Sequence, residues 1–223
     1  MPIDRRRSPT ENRGLDICGA TTEAECKGDD TGIEERGCQT PQYPDLPGKV
    51  VVVTGGSRGI GAATARTFAK NHAAVVVVGR DQTAIESTVH TITISGACAI
   101  GVAADCTVEG GLARLRQIVN DRFGAADILA TFAGGNGIPV PTLTETATHW
   151  WQVIESDLTS TFLTPSAFLG DMTARHTGAI ITMSSAAARL PAQSCGVYVA
   201  AKEGGDALHA APRKGSRDRR HSG

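Results

Sequence analysis

The 223-residue sequence lacks several features that would assign it to a particular class of protein. Its longest strongly apolar run, residues 73–78, is too short to cross a bilayer, so no membrane span is predicted. The formal net charge of -1 argues against binding to nucleic acid or to an anionic membrane surface. Three arginines at positions 5–7 are not followed by an apolar segment, so we expect no secretion signal.

The six cysteines also lack a recognisable spacing. They stand at positions 18, 26, 38, 98, 106 and 195, form no C-x-x-C pair, and the first three have no histidine nearby. We therefore expect no metal site. His149 and His176 are isolated in the sequence and are predicted as surface residues rather than ligands. Reduced thiols of this kind are typical of the cytoplasm, which is the predicted location.

Composition divides the chain into three regions. Residues 1–44 are rich in charged and small residues and show no apolar periodicity, which predicts a disordered or loosely attached extension. Residues 45–210 carry the apolar patterns of a folded domain. Residues 211–223 contain five Arg or Lys residues and no apolar face, so we expect a disordered basic tail. The composition after Ala211 is also what a truncated or frame-shifted end would look like.

The middle region alternates short apolar strands with helical patterns. Strands are predicted at Val50–Thr54, Ala74–Gly79, Cys98–Ala104, Ile128–Phe132 and Ala179–Met183. Helices are predicted at Gly59–Lys70, Thr83–Thr93, Glu109–Phe123 and His149–Leu169. Strands separated by helices of ten or more residues indicate an α/β protein whose parallel sheet is covered by helices on both faces.

The stretch VVVVTGGSRGIG, residues 50–61, is the most informative part of the chain. Four valines form a buried strand, and a turn with Gly55, Gly59 and Gly61 leads into a helix. Glycines let the backbone approach an anion, and the helix N-terminus offers free N–H groups and a partial positive charge. The segment therefore predicts a phosphate-binding loop, although its spacing is G-x-x-x-G-x-G rather than G-x-G-x-x-G.

A second motif, about 140 residues downstream, suggests proton transfer. Tyr198 and Lys202 are four residues apart, which places their side chains on one face of a helix. An ammonium group beside a phenol stabilises the phenolate, so the tyrosine can act as a general acid or base toward a carbonyl or alcohol oxygen. Ser185 follows an apolar strand 13 residues before Tyr198, where its hydroxyl could hold that oxygen.

With these motifs in their order, residues from about 46 to 210 resemble the short-chain dehydrogenase/reductase family, including its 3-oxoacyl-carrier-protein reductase and sugar or polyol dehydrogenase branches. Further matches are Asp105 after the third strand, the A-G-G turn at residues 133–135, and the helix segment WQVIESDLTSTF at residues 151–162. The resemblance implies a Rossmann-type doubly wound sheet in a three-layer α/β/α arrangement.

The resemblance also implies an activity and a set of site residues. The expected function is hydride transfer between a nicotinamide coenzyme and a small carbonyl or alcohol substrate. Catalytic roles fall on Ser185, Tyr198 and Lys202, with Asp157 at the relay position. The residues expected to bind the coenzyme are Thr54, Gly55, Ser57, Arg58, Gly59, Ile60, Gly61, Arg80, Asp105, Ala133, Gly134, Tyr198 and Lys202.

The residues after the second strand bear on the choice of coenzyme. NAD enzymes usually place a carboxylate at the end of this strand to bind the ribose hydroxyls, whereas this chain has Gly79 and then Arg80. Arg58 adds a second guanidinium, and two guanidiniums suit the 2′-phosphate of NADP. NADP is therefore the predicted coenzyme. Asp81 is the counter-argument, because its carboxylate could bind the ribose of NAD.

Three departures from the family pattern leave a second hypothesis open. Asp157 replaces the family's catalytic Asn, where it should pair with Lys202, and Thr131-Phe132 replaces the two Asn of the N-N-A-G turn. No strand is predicted after Ala211, so the sheet should lack the family's last two strands and end on an uncovered fifth strand. The alternative is thus a catalytically incompetent member that binds nucleotide or partner subunits. A homodimer would use the two long helices, Trp151–Phe168 and Tyr198–Ala210.

Overall fold

A computed structural model describes residues 41–135, 139–189 and 195–210. Within them, five parallel strands form one sheet in the order β3-β2-β1-β4-β5. The strands are β1 (Val50–Thr54), β2 (Ala74–Gly79), β3 (Ala99–Ala103), β4 (Ile128–Thr131) and β5 (Ala179–Thr182). The order reverses between β1 and β4, and in such sheets ligands bind beyond the carboxyl ends of the strands at this reversal.

Helices connect successive strands. They are α1 (Gly59–Lys70), α2 (Gln82–Thr93), α3 (Glu109–Phe123), α4 (Ala147–Val153), α5 (Ser160–Ala174) and α6 (Gly196–Ala210). A π-helical segment, Ile154–Thr159, joins α4 to α5, and short 3₁₀ turns lie at Thr142–Thr144 and Ala186–Ala188. The predicted α/β fold with a doubly wound parallel sheet is confirmed.

Alternate side chains of the central strands face opposite layers of helices. On one face Val51, Val53, Val75 and Val77 pack with apolar residues of α1 and α2. On the other, neighbouring positions of the same strands pack with α3 and α5 in a cluster that includes Val52, Val76, Leu112, Leu115 and Phe168. Helices cover both faces of the sheet, so β1 and β2 are buried along nearly their whole length. This burial explains why valines fill consecutive positions of both strands.

The predicted single helix over His149–Leu169 is wrong in its bounds and in its continuity. The helical stretch begins at Ala147, ends at Ala174 and contains the π-helical segment. Within it the Ser160 hydroxyl donates to the Ser156 carbonyl at 2.5 Å, and the Thr161 hydroxyl donates to the Asp157 carbonyl at 2.7 Å. Each hydroxyl thus bonds to the carbonyl four residues earlier, as Ser and Thr side chains commonly do within helices. Apolar periodicity carries no signal for a π-helical segment.

β5 forms an edge of the sheet in the described part of the chain. It pairs with β4, and its residues are exposed or only half-buried. Ile181 on this strand is 42% exposed, as expected for a strand with one uncovered side. Among the described helices, none combines the length and the hydropathy that a membrane crossing requires. The predictions for residues 1–40 and 211–223 lie outside the described residues.

Candidate functional site

A cleft of about 830 Å³ opens at the carboxyl end of the sheet. Its walls come from the segments that follow β1, β2, β3 and β4, together with residues of the π-helical segment and of α6. The predicted site residues that line it are Gly55, Ser57, Arg58, Gly59, Ile60, Gly61, Arg80, Asp105, Ala133, Gly134, Tyr198 and Lys202. Residues that are widely separated in sequence therefore share one cavity at the strand-order reversal.

The glycine loop is packed too closely for side chains. A Cβ atom at Gly61 would lie 2.1 Å from the Gly55 carbonyl oxygen, and one at Gly55 would lie 2.6 Å from the Phe132 carbonyl oxygen. Gly55 and Gly59 also have positive φ angles of 65° and 52°. No side chain caps the N-terminus of α1, and its first turn has no acidic residue. The free N–H groups of this turn are suited to binding a phosphate.

The cationic end of the cleft contains an ion pair. Arg58 pairs with Asp81, whose other carboxylate oxygen accepts a hydrogen bond from the Ala84 amide at 3.1 Å and so caps α2. The side chains of Arg58 and Asp81 are 72% and 45% exposed, and exposed Arg80 lines the same end. Asp81 thus neutralises part of the charge that Arg58 brings to the cleft.

Asp105 and Cys106 form the wall that follows β3. Asp105 Oδ1 accepts hydrogen bonds from the Thr107 amide at 2.9 Å and the Thr107 hydroxyl at 2.8 Å. These hydrogen bonds hold the pKa of Asp105 below its usual range, and the charge of Arg80 acts in the same direction, whereas burial acts against them. Burial raises the pKa of Cys106 to about 11. The thiol is therefore neutral at physiological pH, and Asp105 carries the negative charge of this wall.

Thr54 differs from the other predicted loop residues because it is buried and is not among the residues that line the cleft. Its hydroxyl oxygen accepts hydrogen bonds from the Phe132 and Ala133 amides at 3.2 and 3.3 Å. It thereby joins the end of β1 to the turn after β4. On β4 itself, the Thr131 hydroxyl donates to the Ile181 carbonyl at 3.1 Å, so Thr131 supplies a cross-strand bond to β5.

Tyr198 and Lys202 lie side by side on α6. The Lys202 Nζ is 5.5 Å from the centre of the Tyr198 ring, and both residues line the cleft. Lys202 is buried, and its ammonium donates to the Met183 carbonyl at 3.3 Å. A buried ammonium next to a phenol ring is an arrangement that stabilises the phenolate.

Asp157 holds three chain segments together. Its Oδ1 lies 3.2 Å from Lys202 Nζ and accepts a hydrogen bond from the Gly135 amide at 3.0 Å. Its Oδ2 accepts from the Ser156 hydroxyl at 2.6 Å. The carboxylate is fully buried, so the pair with Lys202 is shielded from solvent. The predicted pairing of Asp157 with Lys202 is thus present, whereas the contacts of Gly135 and Met183 involve backbone groups that sequence reasoning missed.

Ser185 stands apart from these residues. It follows β5 by three positions, its hydroxyl oxygen accepts a hydrogen bond from the Ala187 amide at 3.2 Å, and it caps the Ala186–Ala188 turn. It is not among the described residues that line the cleft. The structure therefore brings Tyr198 and Lys202 to the glycine loop but leaves Ser185 outside the cavity that they share.

Comparisons with known proteins agree with this architecture. The family model described as short chain dehydrogenase matches residues 49–218. The chain is 33% identical over 151 residues to glucose 1-dehydrogenase 2 of Bacillus subtilis, covering 67% of this chain and 58% of that protein. It is 31% identical over 159 residues to a 3-oxoacyl-[acyl-carrier-protein] reductase of Chlamydia pneumoniae, covering 71% of this chain and 64% of that protein.

Among solved structures, a metagenomic short-chain oxidoreductase in complex with NADP superposes with a TM-score of 0.69. The two sequences are 34% identical, and the match covers 73% of this chain and 74% of the other. The chain spans less than two thirds of the length of the curated relatives named above. The matched region contains every element from β1 to α6, and the chain belongs to the short-chain dehydrogenase family.

Proposed function

We propose that the protein is an NADP-dependent oxidoreductase that interconverts a carbonyl and an alcohol on a small molecule. The observation that carries the proposal is that Tyr198 and Lys202 line the same cleft as the glycine loop. A phosphate group held at the start of α1 and a proton donor on α6 would then face one cavity. The family and the NADP complex of the similar metagenomic enzyme support a nicotinamide coenzyme in that cavity.

In this proposal the coenzyme supplies or accepts the hydride at the carbinol carbon of the substrate. The Tyr198 hydroxyl donates its proton to the carbonyl oxygen during reduction and takes it back during oxidation. The Lys202 ammonium stabilises the resulting phenolate from 5.5 Å above the ring. The Ser185 oxygen accepts from the Ala187 amide, and its own proton would be donated to a substrate oxygen that reaches it.

Asp157 gives the site a property of its own. In place of a neutral amide it brings a buried negative charge to within 3.2 Å of the ammonium that must stabilise a phenolate. A carboxylate at this position favours the charged form of Lys202. Its own negative charge also offsets part of the stabilisation that the Lys202 ammonium gives to the Tyr198 phenolate. We propose that Asp157 slows the proton relay, or shifts its pH dependence, without abolishing it.

The coenzyme preference is part of the proposal. Arg80 and Arg58 would bind the 2′-phosphate, Arg58 exchanging its bond to Asp81 for one to the phosphate. The remaining contacts would come from the α1 N-terminus and from Asp105 near the adenine.

The experiment measures NADPH binding by fluorescence and then turnover with a panel of ketones and aldehydes, followed by absorbance. We expect binding together with turnover. Tyr198→Phe should keep the coenzyme affinity and lose about 100- to 10,000-fold in turnover. Tyr43→Phe, at a 49% exposed position, is the matched control and should change neither. Binding without turnover of any substrate favours the incompetent alternative, and absence of binding overturns the coenzyme site as well.

We also propose a homodimer and a cytoplasmic location. Exposed apolar side chains on α4, α5 and α6 support the dimer: Trp151 is 61% exposed, Phe162 52% and Leu208 44%. Light scattering should give twice the mass of one chain, and Phe162→Asp should give the monomer mass; a monomer in the unmodified protein contradicts the dimer. The location rests on the cysteine pattern alone, and fractionation of the native host tests it.

A further inference from the structure

The geometry points to a transition-metal site of the zinc class formed by Glu145, His149 and Cys195. One ligand atom from each residue lies within 4.8 Å of the other two. None of the three lines the coenzyme cleft in the described part of the chain, so the site is independent of the proposed function. Its donor set of a carboxylate, an imidazole and a thiol is the set from which zinc sites are built.

Glu145 is the centre of the cluster. Its Oε1 is 2.7 Å from His149 Nδ1, and its Oε2 accepts from Cys195 Sγ at 3.4 Å. Zinc bonds to oxygen, nitrogen and sulfur of about 2.0 to 2.3 Å separate tetrahedral ligands by roughly 3.3 to 3.7 Å. The sulfur–oxygen distance already matches this. A metal would take the place of the hydrogen between the imidazole and the carboxylate: the neutral imidazole would carry its proton on Nε2, and the Cys195 thiol would release its proton to solvent.

The local fold fixes the ligands. Thr146 caps α4 by accepting a hydrogen bond from the His149 amide at 3.1 Å, which places Glu145 and His149 one helical turn apart on the same side. Cys195 stands directly before α6, with its side chain in an apolar cluster that includes Val153 and Val197. Two helix starts therefore hold the three donors, and a metal there would join α4 to the helix that carries Tyr198.

Burial and charge favour a cation at this point. Cys195 is 1% exposed, and the side chains of Glu145 and His149 are 12% and 23% exposed. Glu145 thus brings a carboxylate to a largely enclosed place, and a water would complete a tetrahedral set as the fourth ligand.

The sequence alone does not predict this metal site. Glu145 and His149 precede Cys195 by about 50 residues. Neither the segment around Glu145 and His149 nor the segment around Cys195 contains the paired cysteines or histidines that mark zinc motifs. His149 is predicted as a surface residue rather than a ligand; its side chain is partly exposed and is hydrogen-bonded to Glu145.

The test titrates the untagged full chain with Co²⁺ and then with Zn²⁺. The background carries Cys18→Ser, Cys26→Ser and Cys38→Ser, so that thiols near the N-terminus do not contribute. We expect one Co²⁺ per chain with a thiolate-to-cobalt absorption band, displaced by Zn²⁺. Cys195→Ser should remove the band. His149→Gln and Glu145→Gln should weaken Co²⁺ binding about 10- to 100-fold.

Cys98→Ser and the exposed His90→Gln are matched controls and should keep the band and the affinity. Zn²⁺ should also raise the melting temperature of the background protein but not that of His149→Gln, a variant at a partly exposed position that should fold even if Cys195→Ser does not. The proposal is overturned if no charge-transfer band forms, if the band survives in Cys195→Ser, or if His149→Gln binds Co²⁺ as tightly as the background protein.

Discussion

The half of the molecule around β1, α1 and β2 differs sharply from the half around β4, β5 and α6. In the first half the strands are buried at nearly every position, and the loop between β1 and α1 is fixed by backbone packing against Gly55 and Gly61. In the second half β5 is exposed or half-buried, and the helical stretch before it contains a π-helical segment. Side chains, above all Asp157, hold that half together.

This difference means that the proposed phosphate binding and the proposed proton transfer depend on different kinds of interaction. The proposed phosphate recognition depends on the absence of side chains, so a single added methyl group should weaken it strongly. Proton transfer depends on one buried charged cluster, so it responds to substitutions that change charge but not shape. Each half can therefore be perturbed in a way that leaves the other intact.

The largest effect is expected for Gly61→Ala. Its Cβ would lie 2.1 Å from the Gly55 carbonyl oxygen, so the loop must move or the start of α1 must unwind. NADPH affinity should fall about 100-fold or more, and the free energy of unfolding by about 1 to 3 kcal/mol. Fluorescence titration and urea unfolding measure the two. Gly110→Ala, where no atom lies within 4 Å of the added Cβ, should leave NADPH affinity unchanged; a similar loss in both variants would contradict the role of the loop.

The next effect concerns the buried charge on the other side of the cleft. Asp157→Asn keeps the shape of the side chain and removes a negative charge 3.2 Å from Lys202. The rising limb of the pH dependence of alcohol oxidation should then move toward lower pH, because a negative charge near the proposed proton donor is lost. NADPH affinity should change little. A pH–rate profile identical to that of the unmodified protein would dispose of the proposed effect on the relay.

Asp81→Asn tests the cationic end of the cleft. Asn also caps helices well, so α2 should stay intact, while Arg58 loses the carboxylate with which it pairs. NADPH should bind about 3- to 10-fold more tightly, and NADH should not. Arg58→Gln provides the opposite control and should weaken NADPH binding. Tighter binding of NADH in Asp81→Asn would argue against a 2′-phosphate at this place.

The smallest effect lies far from the cleft, where α3 meets α5. Arg116 donates two hydrogen bonds of 2.6 Å to Asp171. These bonds lower the pKa of Asp171; a hydrogen bond from Asn120 and the charge of Arg175 act in the same direction, and burial acts against them. A carboxyl group with a lowered pKa stabilises the folded state above its unfolded pKa, and the contribution is lost as pH falls through the folded value. Asp171→Asn should cost about 1 kcal/mol at pH 7, since the pair is partly exposed.

Urea unfolding at a series of pH values checks this prediction. The difference between Asp171→Asn and the unmodified protein should shrink below about pH 4. Asp121→Asn, at an exposed position of α3, should have little effect at any pH. A cost for Asp171→Asn that is independent of pH would contradict the assigned cause.

The sequence predicted the first half of the molecule better than the second, for a physical reason. β1, α1, β2 and α3 have the predicted bounds because apolar periodicity and glycine positions determine them directly. The π-helical segment and the place of Ser185 depend on hydroxyl and backbone hydrogen bonds, which leave no periodic trace. Thr54 is predicted to bind the coenzyme, and apolar periodicity gives no sign that its buried hydroxyl accepts hydrogen bonds from amides of the neighbouring turn.

The multiple contacts of Asp157 also have a consequence for the thermodynamics of coenzyme binding. Because its carboxylate fixes the Gly135 amide, the Ser156 hydroxyl and the Lys202 ammonium at once, one wall of the cleft is ordered when the chain folds. A coenzyme that enters the cleft need not immobilise this wall. The conformational entropy of these side chains is therefore lost when the chain folds and not when the coenzyme binds. The proposed coenzyme should therefore bind with a small change in the mobility of α6 and the π-helical segment.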